Sequence, residues 1–290
     1  MTIDRRSSRR PGPSVRVRVA EIKGATRTQH EDRVVTEEPL EIRLVEPGSA
    51  PRRVSVTMRT PGHDFELAAG WLFHEGVIDG ADDLGQVAYC TDVDLTPEQE
   101  FNVVTVTLRR PARRSPGARY PGITAASSAC GVCGTESIEE VFAALGDRVS
   151  SDSRGEVLSW AVVRQMPEAM KEQQRLFDVT GGLHAAALFS PDDSLLALRE
   201  DVGRHNAVDK VSGARLLAGD HRGPEVLVVS GRIGFEIVQK AVASQILALV
   251  AVGAPTSLAV DLARRTHLCL VGWARDERAV VYAADDRLGA

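Results

Sequence analysis

Apolar and polar residues alternate across residues 15–45, and the same period of two returns over 54–58, with Pro47-Gly48 between them. The pattern predicts strands joined by a turn. Pro61-Gly62 closes that run, and over 64–73 the spacing of Phe65, Leu67, Ala68, Trp71 and Leu72 predicts an amphipathic helix, followed by a strand over 101–108. Further along, the two periods mix. Helices are predicted over 137–145, 167–177, 206–218, 235–252 and 257–266, and strands over 184–189, 195–199, 225–230, 268–273 and 280–283. The second half therefore reads as α/β and the first as β-rich.

Between the halves, residues 109–122 (RRPARRSPGARYPG) hold three prolines, two glycines and five arginines, a composition that resists regular structure. The predicted organisation is a disordered basic tail at 1–14, a smaller β-rich domain at 15–108, a flexible basic loop at 109–122, read either as a solvated linker or as a mobile arm that delivers the neighbouring cysteines to an anionic partner, and an α/β domain at 123–290. A chain of 290 residues with 43% hydrophobic and 26% charged positions buries enough surface to fold without staples. Its net charge of −5 gives no global attraction to nucleic acid or anionic membrane, so any anionic ligand must be held locally. The longest apolar stretch, 245–255, is too short for a membrane span. Arg5, Arg6, Arg9 and Arg10 are followed by prolines rather than an apolar core, so no export signal is read there. With four cysteines, the expected compartment is reducing and cytoplasmic.

Cys130 and Cys133 form the one close pair, Cys130-Gly131-Val132-Cys133, just ahead of Ser137 and Glu140, which are spaced as a capping box. A helix N-terminus favours thiolate by about 0.3–1 kcal/mol, although Glu136, Glu139 and Glu140 oppose it. Three chemistries use such a pair. A zinc site needs about four ligands and would have to recruit scattered residues such as His184 or His205. A dithiol oxidoreductase carries its pair after the first strand of a small fold, not in mid-chain. A sulfur carrier needs one nucleophilic cysteine and gains from a neighbour able to attack it. Cys90 and Cys269 lack such surroundings and read as buried small hydrophobes.

A site for an anion is suggested further on. The strand over 225–230 runs through Ser230 into Gly231-Arg232-Ile233-Gly234 and a helix, which would aim free N–H groups and an arginine at pyrophosphate. Arg204, His205, Asn206, Asp209 and Lys210 open another helix whose exposed face could meet phosphate or a base, with a surface ion pair of His205 and Asp209 as the ordinary alternative. His184, after Gly181-Gly182, is either a core histidine or a wall of the site.

Five further blocks appear in order: Glu38-Pro39-Leu40; Met58 through Leu67 with Gly70 through Ile78; Thr180 through Ala186; Arg199 through Lys210; and Ser230 through Glu236. With the cysteine pair, they resemble the FdhD family of formate dehydrogenase accessory sulfur carriers. The resemblance implies a homodimer with a cytidine-deaminase-like C-terminal domain. It implies a persulfide on Cys130, received from a cysteine desulfurase and passed to the molybdenum bis-guanine-dinucleotide cofactor destined for formate dehydrogenase. It further implies a cofactor-binding stretch at Trp273, Ala274, Arg275, Asp276, Glu277 and Arg278, where a guanine nucleotide such as GDP can sit. Asp276 and Glu277 depart from the small or neutral residues usual there. Two other functions stay open on the residues alone. One is a zinc-dependent deaminase or hydrolase, weakened because Ala185 and Ala186 follow His184 where a His-x-Glu pattern is needed. The other is a cofactor chaperone with dispensable cysteines.

Overall fold

The computed structural model describes residues 11–91, 95–96, 99–116, 157–219, 225–275 and 277–289. The predicted helix over 137–145 and both Cys130 and Cys133 lie outside the described residues, as does Asp276.

Three sheets carry the architecture. Strands β1 (Ser14–Lys23) and β2 (Thr26–Val35) form an antiparallel ribbon of their own. Strands β3 (Glu38–Val45), β4 (Arg52–Arg59), β5 (Leu84–Tyr89) and β6 (Val103–Leu108) form a four-stranded sheet in the order β4-β3-β6-β5. Helix α1 (Asp64–His74) covers it, closing a core of Leu40, Ile42, Leu67, Leu72, Val104 and Val106.

The third sheet has six strands. It comprises β8 (His184–Phe189), β9 (Leu195–Asp201), β10 (Val226–Val229), β11 (Ala248–Ala251), β12 (Cys269–Arg275) and β13 (Arg278–Ala283), ordered β13-β12-β11-β10-β8-β9. Only β10, β11 and β12 run parallel. Their alternate residues sort to two cores. Leu227, Val229, Leu249 and Leu270 meet helices α5 (Arg204–Leu217), α6 (Phe235–Ala243) and α7 (Ser257–Arg265). Val226, Val228, Val250 and Val271 meet α2 (Trp160–Val163) and α3 (Met166–Glu172) on the opposite face. The short strand β7 (Leu158–Ser159) pairs with β14 (Leu288–Gly289) beneath them. The class is therefore mixed α/β, as the alternation of periods implies.

Helix α1 crosses α5 at backbone contact and joins the two larger sheets. A Cβ built on Gly70 would sit 1.9 Å from the Asp209 carbonyl oxygen, and one on Gly213 would sit 1.9 Å from that of Glu66. Around this crossing lies a buried polar joint. Asp201 is its hub: Oδ2 accepts from the Thr60 N–H (3.1 Å) and Lys210 Nζ (2.7 Å), while Oδ1 accepts from the Gly203 N–H (2.8 Å) and Asn206 Nδ2 (3.1 Å). Arg59, fully buried, forks onto Asp64 at 2.9 and 3.1 Å. His74 Nδ1 and Lys240 Nζ each lie 2.5 Å from Asp209 Oδ1. Burial alone would raise the Asp209 carboxyl, but the Lys240 and His74 charges bring it below its usual range.

Several elements differ from their sequence expectation. The single helix over 235–252 is instead α6, a turn through Gln245 in the left-handed region (φ 56°), and then β11. Strand β11 lies between β10 and β12 with both faces covered, so its apolar run hides the strand period. The helix over 167–177 breaks after Glu172 and restarts as α4 (Arg175–Thr180), because the Glu200 carboxylate accepts the N–H groups of Leu176 and Phe177 at 3.0 and 2.8 Å and gives the second piece its own start. Residues 15–45 hold an unforeseen turn at Gly24 (φ 60°), and β5 carried no recognised signal. The described part of the basic loop, 109–116, is largely exposed and is also tied to the body: the N–H groups of Arg109 and Arg113 bond to the Asp83 and Val77 carbonyls, and Arg110 and Arg113 pair with Asp83 and Asp79.

Candidate functional site

The parallel strands β10, β11 and β12 end together, and ligands of open α/β sheets bind outside such carboxyl ends. Here the ends border a cavity of about 880 Å³. Ser230, Val252, Ala274 and Arg275 come from the strand ends, Gly181 through His184 from the start of β8, and Arg164, Glu168, Lys171, Phe177 and Asp178 from α2 to α4 and the turns between them. The size suits a small molecule or one arm of a larger one.

The local backbone is held open by glycine. A Cβ on Gly253 would lie 2.8 Å from the Gly231 carbonyl oxygen, and one on Gly231 would lie 3.3 Å from His184 Nδ1. Ser230 Oγ accepts the Ala185 N–H at 2.9 Å while its own N–H donates to the Ala185 carbonyl at 3.0 Å. That leaves the hydroxyl proton available to a ligand. His184 is half-buried, and burial, then the charges of Arg204 and His205, push its pKa below the usual histidine value, so its ring stays neutral near pH 7. Neither ring nitrogen has a hydrogen-bond partner among the described residues.

At the β12–β13 hairpin Arg275 stands directly opposite Arg278, both exposed and without an ion pair among the described residues. Like charges so placed are destabilising until an anion joins them.

Of the residues singled out from sequence, His184, Ser230, Ala274 and Arg275 line one cavity, with Gly231 and Arg204 packed beside His184. Others stand apart from it. Trp273 is a left-handed residue (φ 56°) whose N–H donates to the Gly253 carbonyl at 3.1 Å, and its ring is not part of the lining. Arg232, Glu277 and Arg278 are exposed outside that lining. The expectation for the start of α5 is corrected: Asn206, Asp209 and Lys210 are buried in the joint, and Asn206 Nδ2 donates to the Met58 carbonyl at 2.7 Å. His205 pairs at 2.9 Å with Glu236, not with Asp209, and this hydrogen bond lowers the Glu236 pKa. Cys269 is sealed in the core as expected, but Cys90 is half-buried with Arg43 Nη1 3.7 Å from its sulfur. The α2 to α4 wall was not singled out from sequence; Lys171 and Glu168, 3.1 Å apart, form an exposed i,i+3 pair of the kind common on helix surfaces.

Comparison with known proteins then decides the relationship. The sequence model of the FdhD/NarQ family matches residues 35–289. The chain belongs to that family. The protein named sulfur carrier protein FdhD from Streptomyces coelicolor is 43% identical over 286 residues, covering 94% of this chain and 95% of its own. Its namesakes from Nocardia farcinica and Anaeromyxobacter sp. (strain K) are 42% and 44% identical, covering 95% and 89% of this chain and the same shares of their own. A solved structure from Desulfotalea psychrophila, described as a formate dehydrogenase accessory protein, superposes with a TM-score of 0.70 at 23% identity, over 95% of this chain and 99% of its own, and so supports the fold.

Proposed function

We propose that this chain is a sulfur carrier for formate dehydrogenase maturation. It takes sulfur from a cysteine desulfurase onto Cys130 and delivers it to the molybdenum bis-guanine-dinucleotide cofactor, its cargo, before insertion into the enzyme. The carrying observation is the cavity at the strand ends, lined by a neutral imidazole, a spare hydroxyl and Arg275, with Arg278 opposite Arg275 on the hairpin outside that lining. These groups suit a guanine nucleotide arm of that cargo, and GDP would fill the same place. The cargo has two such arms, which a homodimer would meet with two cavities.

The sulfur chemistry balances without an outside oxidant. The Cys130 thiolate attacks the terminal sulfur of the donor's persulfide, the donor's S–S bond breaks, and the donor cysteine leaves as thiolate and takes up a proton. Release can follow by attack of Cys133 on the Cys130 sulfur, which forms a disulfide and frees the outer sulfur reduced to the level of sulfide.

Mass spectrometry tests the reading. After incubation with a cysteine desulfurase and cysteine, the wild-type chain should gain one sulfur mass and Cys130→Ala should not. No gain over that variant would overturn it. Complementation separates the carrier from a chaperone acting by cofactor binding alone: a Cys130→Ala strain with full formate dehydrogenase activity would favour the chaperone.

A further inference from the structure

The β1–β2 ribbon pairs over ten residues on each strand, from Ser14 opposite Val35 to Lys23 opposite Thr26, and joins neither larger sheet. Nearly all of β2 is exposed. An isolated two-stranded hairpin is marginal in water, so a ribbon about 34 Å long gains from a partner. Its base is fixed: the Thr36 N–H bonds to the Pro13 carbonyl at 3.0 Å, and Val35 packs on Gly182 of the cavity rim.

The cross-strand register separates two faces. One holds Val15, Val17, Val19 and Val34 together with Glu21, Lys23, His30 and Asp32, with Val15 47% and Val34 38% exposed. The other holds Arg16, Arg18, Arg27 and Arg33, with Glu31 as its one acid. Arg16 lies directly opposite Arg33, a destabilising arrangement in a free ribbon. Arg16 reaches Glu31 at 3.6 Å, while Arg18, Arg27 and Arg33 have no ion pair among the described residues.

We propose that this ribbon is a docking arm whose arginine face grips an acidic surface on a protein partner. Planar guanidinium groups suit carboxylates, and the exposed apolar side chains of the ribbon, Ile22 on the arginine face and Val15 and Val34 on the other, add area of the kind protein interfaces bury. Duplex DNA fits less well, because Glu31 interrupts the basic face and the whole chain carries a charge of −5. The sulfur-carrier reading enters only in the choice of test proteins.

The test uses the full chain and an R18E/R27E/R33E variant, titrated calorimetrically with purified cysteine desulfurase and, separately, formate dehydrogenase. At least one should bind the wild-type chain, with Kd raised about tenfold or more in the variant. Raising salt from about 50 to about 300 mM should weaken wild-type binding far more than the variant's. The conservative R18K/R27K/R33K variant should keep most of the affinity, and unchanged circular dichroism should show that the charge reversal leaves the fold intact. The inference fails if neither protein binds, if the reversal leaves both affinities unchanged, if it acts only by dissociating a self-association seen in sedimentation, or if the arm holds duplex DNA more tightly than either protein. Cys130→Ala should bind like wild type, so a failure of the sulfur chemistry and a failure of docking read out separately.

Discussion

Helix α5 takes part in two polar regions that obey different rules. In the joint against α1, charges answer one another within the chain: Lys210 meets Asp201 at 2.7 Å and the Thr60 carbonyl at 2.8 Å, and Arg59 forks onto Asp64. At the cavity beyond the first turn of α5, His184 has no hydrogen-bond partner for its ring among the described residues, Ser230 keeps a donor in reserve, and Arg275 stands opposite Arg278. The first region is closely paired, although Glu38 Oε2, 3.7 Å from Arg59 Nη1, is buried there without a hydrogen bond, and the second is not. A satisfied buried network fixes one geometry, whereas spare donors at a cavity mark where something else must bind. The polar blocks around Met58 to Leu67 and Arg199 to Lys210 thus mainly hold the sheets in register, and the cavity draws on other segments.

The sharpest way to break that contrast is to open the joint. Lys210→Met should lower unfolding stability by about 3–5 kcal/mol, because it strands Asp201 inside the protein without its counter-charge. A shift in denaturant midpoint with unchanged slope would show it, and a near-neutral variant would mean the joint is not closely paired. Gly213→Ala should follow at about 3 kcal/mol, since its Cβ must displace the Glu66 carbonyl and the whole helix crossing.

The sequence made some of this legible, and the reasons for the rest are specific. Helix α7 was visible because one face meets a core and the other faces solvent, and α1 and α5 because their apolar residues keep the helical spacing even though both helices are largely buried. Strand β11 was not, since burial on both faces removes any alternation. The polar start of α5 was misjudged for a related reason. Asn206, Asp209 and Lys210 look like a solvated face until the joint supplies partners from residues as distant as Met58 and Thr60. The cavity was found only in part: Gly181-Gly182, His184 and Ser230 sit at strand ends that pattern locates, whereas Arg164, in the turn before α3, and Lys171, within α3, carry no pattern that sets them apart from a solvated helix face.

Acid provides a milder probe of the same joint. Burial pushes the Glu66 carboxyl up, but the Arg199 fork at 2.5 and 2.7 Å and His63 at 3.1 Å outweigh it and hold the pKa at about 2. A depressed carboxylate pKa gives stability that is fully present above the unfolded value, about 4.5, and is lost as pH falls toward 2. Over that window wild type should lose about 2 kcal/mol more than Glu66→Gln, after allowance for residual solvent screening. Parallel acid-unfolding curves for the two would remove Glu66 from the joint.

The smallest effect on the fold should come from the cavity, and there the prediction is an inequality rather than a loss. Arg275→Ala removes an exposed cation that stands opposite Arg278, so relieving like-charge repulsion should leave stability within about 0.5 kcal/mol of wild type or raise it slightly. The same change should weaken GDP binding about tenfold, because a charge-assisted bond to phosphate is lost. Melting and titration on one preparation would then part company: stability steady, affinity reduced. Equal losses in both would place Arg275 with the joint, as a residue whose partner is protein. Stability falling alone would deny the cavity its anion.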